Sequence, residues 1–96
     1  MTKTLTMALK AVYFDQIKSG EKTAEFRLVT AYWRKRLVNR EYEEVVLTCA
    51  YPKDGGIEGV TRLTRKWRGF TIQSLTHPHF GPDPVDVFAI DVSQPA

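Results

Sequence analysis

Sulfur, histidine and long apolar runs are all scarce in this chain, and each scarcity excludes something. There is one cysteine, Cys49, and there are two histidines, His77 and His79. A single thiol can neither close an intrachain disulfide nor build a thiolate metal centre, which suits a reducing compartment. Cys49 follows Val45-Val46-Leu47-Thr48 and reads as a buried strand thiol rather than a nucleophile. Two His at i, i+2 with one distant Cys make a poor zinc set, so neither a metal nor a cofactor is expected. No apolar run approaches the roughly 18 residues of a membrane span, and Met1 to Leu9 lacks the apolar core of a signal peptide. The expectation is a cytoplasmic protein with no membrane partner. Gly55-Gly56 and Gly59 are not followed by Lys-Ser/Thr, so no phosphate loop of the G-x-x-x-x-G-K type is present. No spacing picks out a Ser-His-Asp set, and there is no internal repeat, linker or low-complexity segment.

What remains is the composition of an ordered globular chain. Over 96 residues, 43% are hydrophobic and 26% charged, enough for one domain spanning residues 1–96 and one modest core. The net charge is +3, but its distribution says more than its sum. Arg34, Lys35, Arg36 and Arg40 form one basic cluster, and Arg62, Arg65, Lys66 and Arg68 a second. From Gly69 to Ala96 there is no Lys or Arg, while Asp83, Asp86 and Asp91 are present. Segregated basic charge favours a surface that faces phosphates. Tyr32 and Trp33 beside Arg34 and Arg36, and Trp67 between Arg65 and Arg68, suit base stacking next to phosphate contacts. Trp33 shares a helix face with Leu37 and is expected in the core; Trp67, in an irregular charged stretch, is expected to be exposed.

The period of the apolar residues predicts the elements. Leu5, Met7 and Leu9 alternate with polar or small residues, a strand over Thr4 to Leu9. Tyr13, Phe14 and Ile17 form the apolar stripe of a helix over Lys10 to Ser19, stopped by Gly20. A strand over Thr23 to Val29 follows, then Thr30 as N-cap of a short helix over Ala31 to Val38. Glu44 to Cys49 is a buried strand. Tyr51 to Gly56 is a loop whose glycines make it the expected mobile segment. Strand pieces on either side of a bend at Trp67-Arg68-Gly69 are followed by a loop over Thr76 to Pro84, which holds three prolines. Val85 to Val92, apolar on both sides, is a central strand. Five or six short strands with two short helices give a small, mostly β, α+β barrel.

Chemistry concentrates in Ser19-Gly20-Glu21-Lys22-Thr23-Ala24-Glu25-Phe26-Arg27. Strand alternation sends Ala24, Phe26 and Leu28 to the core and sets Thr23, Glu25 and Arg27 on the opposite face, with Lys22 at the junction able to swing over it. Two readings compete. One is a salt-bridged set on a solvated strand face. The other is a polar site in which Arg27 offers a planar fork, Lys22 binds an oxyanion or acts as a base, and Glu25 accepts from an exocyclic amine or moves a proton. The segment His77-Pro78-His79-Phe80-Gly81-Pro82 either places an imidazole, of His77 or His79, near Lys22 and Glu25, or is a rim loop whose histidines bond to backbone.

The spacing Gly20-x-Lys22-x-x-Glu25-x-Arg27 resembles the G-x-K-x-x-E-x-R signature of ASCH domains (activating signal cointegrator homology), small β-barrels similar to the PUA fold. Element order extends the resemblance over most of residues 5–92. It implies binding of RNA or of a modified nucleoside or nucleotide in a cleft lined by Lys22, Thr23, Glu25 and Arg27, with Arg36, Trp67 and His77 as further contacts. It also implies an alternative: some small bacterial members are amidohydrolases on N4-acylated cytidine that use a Lys, Thr and Glu set, and others are ribonucleases. Here Glu25 stands where those amidohydrolases carry the Thr nucleophile, with Thr23 nearby. In a hydrolase of this kind Lys22 and Glu25 are the catalytic pair, with His79 as a further candidate. A protein-interaction adaptor using the acidic C-terminal surface is a third reading, with no specific residue behind it.

Overall fold

The computed structural model describes residues 3–95, the side chain of residue 79 excepted. Two three-stranded sheets carry the fold, with strands β1 (Thr4–Leu9), β2 (Ala24–Leu28), β3 (Glu44–Cys49), β4 (Arg62–Lys66), β5 (Phe70–His77) and β6 (Gly81–Asp91). Helix α1 (Ala11–Ser19) joins β1 to β2, and α2 (Ala31–Leu37) joins β2 to β3. The first sheet has the order β1-β3-β4 and the second β2-β6-β5. In the first, β3 runs parallel to β1 and antiparallel to β4; in the second, β6 is antiparallel to both neighbours. Among the described residues no strand pairing closes the two sheets into a barrel, so the architecture is α+β with two facing sheets. A segment after β6 laces them instead: Gln94 O accepts from Lys66 N–H at 2.8 Å, and Pro95 bridges Arg65 of β4.

Local rules explain most boundaries. Gly20 takes φ 86°, a left-handed conformation that costs glycine little, and its N–H closes α1 on Ile17 O. The Thr30 hydroxyl accepts from Trp33 N–H at 3.3 Å and caps α2. β3 buries Val45, Val46, Leu47 and Thr48 in succession because it is the middle strand of its sheet. The core joins Leu5, Met7 and Leu9 of β1, Phe14 and Ile17 of α1, Leu37 of α2, Val45 and Leu47 of β3, and Phe88 and Ile90 of β6. Each such fully buried side chain stabilises the fold by about 1.5–3 kcal/mol before entropy is counted.

Three expectations are corrected. The loop expected over Thr76 to Pro84 is largely strand: β5 runs to His77, a short 3-10 turn covers Pro78–Phe80, and β6 begins at Gly81. Pro82 and Pro84 are tolerated because β2 pairs with β6 only as far as Val87. Beyond that point β6 has an open side, and both prolines fall between Gly81 and Val85, where the β5 register shifts and neither has a ladder partner among the described residues. Trp67 is half-buried rather than exposed. It packs against the core and meets the Tyr42 ring edge-on at 5.1 Å, while its backbone N–H donates to Glu43 O. The faces of β2 are also reversed. Glu25 is 2% exposed and Leu28 38%, and the register sets Glu25 beside Ile90 and Arg27 beside Phe88, both core residues. Because β6 is apolar on both sides, β2 can dock with either face inward; polar pairing within β2 decides which.

Candidate functional site

That pairing begins at an edge. β2 has a ladder partner on one side only, and its other side presents the N–H and C=O of Phe26. Glu25 Oε1 accepts from Phe26 N–H at 3.1 Å, and Arg27 Nη1 donates to Phe26 O at 3.3 Å. The i, i+2 pair thus folds back over the residue between its members and satisfies both open groups. Arg27 Nη2 then reaches Ala8 O at 3.1 Å, tying β2 to the end of β1, with which it shares no ladder among the described residues. The Arg27 guanidinium also lies 5.4 Å from the Trp33 ring centre.

Glu25 is therefore a buried carboxylate between two cations. Lys22 Nζ donates to Oε1 at 3.2 Å, and Arg27 Nη1 stands 3.8 Å from Oε2. Oε1 has two donors, whereas Oε2 has no hydrogen-bond donor among the described residues. Lys22 is itself enclosed, its ammonium 4.5 Å from the Tyr13 ring centre and 5.1 Å from that of Phe26, with its side chain 15% exposed. Such cation–π contacts fix an ammonium without neutralising it.

These groups line a cavity of about 200 Å³. Leu9, Lys10 and Tyr13 come from the β1–α1 junction, Lys22, Glu25, Phe26 and Arg27 from the motif segment, and His77 and Phe80 from the β5–β6 turn. The His77 ring is 5.7 Å from both Tyr13 and Phe80 and 6.4 Å from Phe26. One wall offers an ammonium backed by the buried Glu25 carboxylate, and the others offer aromatic faces. The space suits a small planar group whose edge is polar and whose faces are apolar. Among the described residues no three His, Cys, Asp or Glu side chains gather as a metal set.

Of the residues picked out in sequence, Lys22, Glu25, Arg27 and His77 meet at this cavity. The side chain of His79 lies outside the described residues. Thr23 precedes the first residue of β2, so strand alternation does not hold it to the Glu25 side; it lines a separate depression with Arg68, Gln73, Asp91 and Ser93. There the Ser93 hydroxyl (2.6 Å) and N–H (2.9 Å) both donate to Asp91 Oδ1 and hold its carboxyl below the ordinary aspartate value. Burial opposes the shift and the charge of Arg68 adds to it. Arg36 lies on a third surface, its guanidinium 4.6 Å from the Tyr32 ring centre, beside Lys35, Arg40 and Tyr42. Trp67 lines none of the three. The sequence reading missed Tyr13 and Phe80 as cavity walls. Tyr13 was legible as the one stripe residue of α1 with a polar tip, the feature that separates it from Phe14 and Ile17.

Comparisons of the chain with protein-family models, with curated proteins and with solved structures find no match.

Proposed function

We propose that this chain binds RNA, or a nucleoside or nucleotide derivative, with one base in the cavity lined by Lys22, Glu25 and Arg27. The observation that carries the proposal is an ammonium, Lys22, held against the buried Glu25 carboxylate at the wall of a ring-lined space. A base has apolar faces for the aromatic walls and an acceptor edge for Lys22, whose position the buried Glu25 fixes. The basic and aromatic surface of Tyr32, Lys35, Arg36 and Arg40 would hold phosphates of a longer ligand. The motif resemblance to ASCH domains, with a PUA-like barrel and a cytoplasmic setting, belongs to the same proposal. No helix among the described residues is long and apolar enough to cross a membrane.

A hydrolase is the second reading, favoured by one contact: Lys22 and Glu25 lie 3.2 Å apart at the cavity wall, close enough to share or pass a proton. The place of Thr23 on another surface argues against a threonine nucleophile, so such an enzyme would activate water. A screen of modified nucleosides and short RNAs, scored for both binding and product, separates the two. Binding without product is expected. Lys22→Met should weaken it tenfold or more with the circular dichroism spectrum unchanged, and wild-type affinity in that variant would refute the site.

A further inference from the structure

Three of the four sheet edges carry a fitting that occupies them. The outer edge of β2 is closed by its own Glu25 and Arg27. At β1, the Ala8 carbonyl is taken by Arg27. At β4, Lys66 and Arg65 meet Gln94 and Pro95. β5 is different. It runs 8 residues at the margin of the second sheet, with β6 as its single strand partner among the described residues. Phe70-Thr71-Ile72-Gln73-Ser74-Leu75-Thr76-His77 contains no Lys, Arg, Asp, Glu or Pro, the residues that ordinarily guard an edge. The register shift falls only at its far end, between Leu75 and His77.

The hydrogen-bond pattern says which groups face outward. Asp91 N–H donates to Gly69 O, whereas Asp86 O accepts from Val29 N–H on the β2 side. Odd-numbered residues of β6 therefore turn their main chain toward β5. By the register, Thr71, Gln73 and Leu75 bond inward, and Phe70, Ile72 and Ser74 present N–H and C=O at the open edge. Ile72 lies opposite Phe88, on the core-facing side of the sheet, and is still 56% exposed. More than half of it stays uncovered among the described residues.

We infer that β5 pairs with β5 of a second copy, antiparallel, about a twofold axis at Ile72. Ile72 then meets Ile72 of the partner subunit, and Phe70 and Ser74 exchange bonds across the axis, about six main-chain hydrogen bonds in all. The β2-β6-β5 sheet of each copy then joins its counterpart in one continuous six-stranded sheet. A second copy fits better than a foreign peptide because the strand is neutral between ends of opposite charge. Lys66 and Arg68 precede it and outweigh Asp91 beside Gly69, and Asp83 and Asp86 follow its turn. An antiparallel twofold sets the basic end of each copy toward the acidic end of the other, while a parallel arrangement would set like beside like.

Sedimentation equilibrium from about 1 µM to about 500 µM tests this, since dimer populations follow concentration. A monomer–dimer equilibrium is expected for the wild-type chain. Ile72→Lys, at an exposed side chain, should weaken it tenfold or more by opposing two like charges across the axis. An equal mixture of Ile72→Lys and Ile72→Glu should restore the dimer. Ser74→Pro, which removes an outward N–H and no bond to β6, should weaken the dimer independently of charge. A wild-type monomer over the whole range, larger open-ended assemblies, or a dimer that survives both variants would overturn the inference.

Discussion

Replacing Glu25 by Gln asks whether the carboxylate is held between cations or merely decorates a strand. The change keeps the side chain's shape and an acceptor for Phe26 N–H, but removes the negative charge facing Lys22 at 3.2 Å and Arg27 at 3.8 Å. Hydrogen bonds to charged groups contribute about 1.5–3 kcal/mol against about 0.5–1.5 for neutral ones, so the Lys22 contact alone loses about 1 kcal/mol. The new amide NH₂ must also stand near Lys22 or Arg27, donor against donor. Deleting one member of a buried ion pair costs about 3–5 kcal/mol. That is an upper bound here, because the Lys22 and Arg27 side chains are 15% and 22% exposed and can turn partly to water. The expected loss is about 1–3 kcal/mol, a fall in melting temperature of roughly 5–20 °C for a domain of this size. Thermal and urea unfolding read it directly, and the double variant with Lys22→Met isolates the Lys22 share. On a solvated strand face the same change would cost at most about 1 kcal/mol. A Glu25→Gln protein melting within about 2 °C of wild type would refute the buried pairing.

Three further outcomes follow from other parts of the molecule. Asp91 has a depressed carboxyl, so its contribution to stability is present above the ordinary aspartate value and is lost as pH falls through its folded value. Urea titrations on either side of that range should show the loss, and Ser93→Ala should make it smaller. Ala50 holds φ 55°, a left-handed conformation that strains a Cβ, so Ala50→Gly should be neutral or stabilise by up to about 1 kcal/mol in the same assay. Reversing the charges of Arg34, Lys35 and Arg36 should weaken RNA binding alike across sequences and flatten its salt dependence; unchanged affinity with the fold intact would remove that surface from the proposal.

Residues whose local chemistry sets their conformation were legible in the sequence. Gly20 ends α1, Thr30 caps α2, and the alternation of Leu5, Met7 and Leu9 marks β1 with its observed ends. The gathering of Lys22, Glu25 and Arg27 was also legible, because it depends on spacing within one short segment. Residues whose fate depends on a distant partner were not. Glu25 looked outward because charged residues seldom enter a core alone. Only the β6 register and the open Phe26 groups make its burial favourable. Pro82 and Pro84 read as a loop because a single sequence does not show where β2 stops. Trp67 read as exposed because its charged neighbours hid its contact with Tyr42.

The way β2 is paired has a kinetic meaning. Among the described residues its one strand partner is β6, with Ala24 opposite Asp91 and Leu28 opposite Val87, so its ladder closes across most of the sequence. Non-local pairings of this kind form late, after shorter loops have closed. α1 and the β5–β6 hairpin involve near neighbours and can form early. On loop-closure entropy alone the segment bearing Glu25 and Arg27 would lock after the hairpin, and until it did the cavity would have neither its carboxylate nor its anchored guanidinium. A stalled or misassembled chain can keep much of its helix and hairpin and still be unable to hold a ligand, so binding at this site would report the completed topology more sharply than any measure of secondary structure.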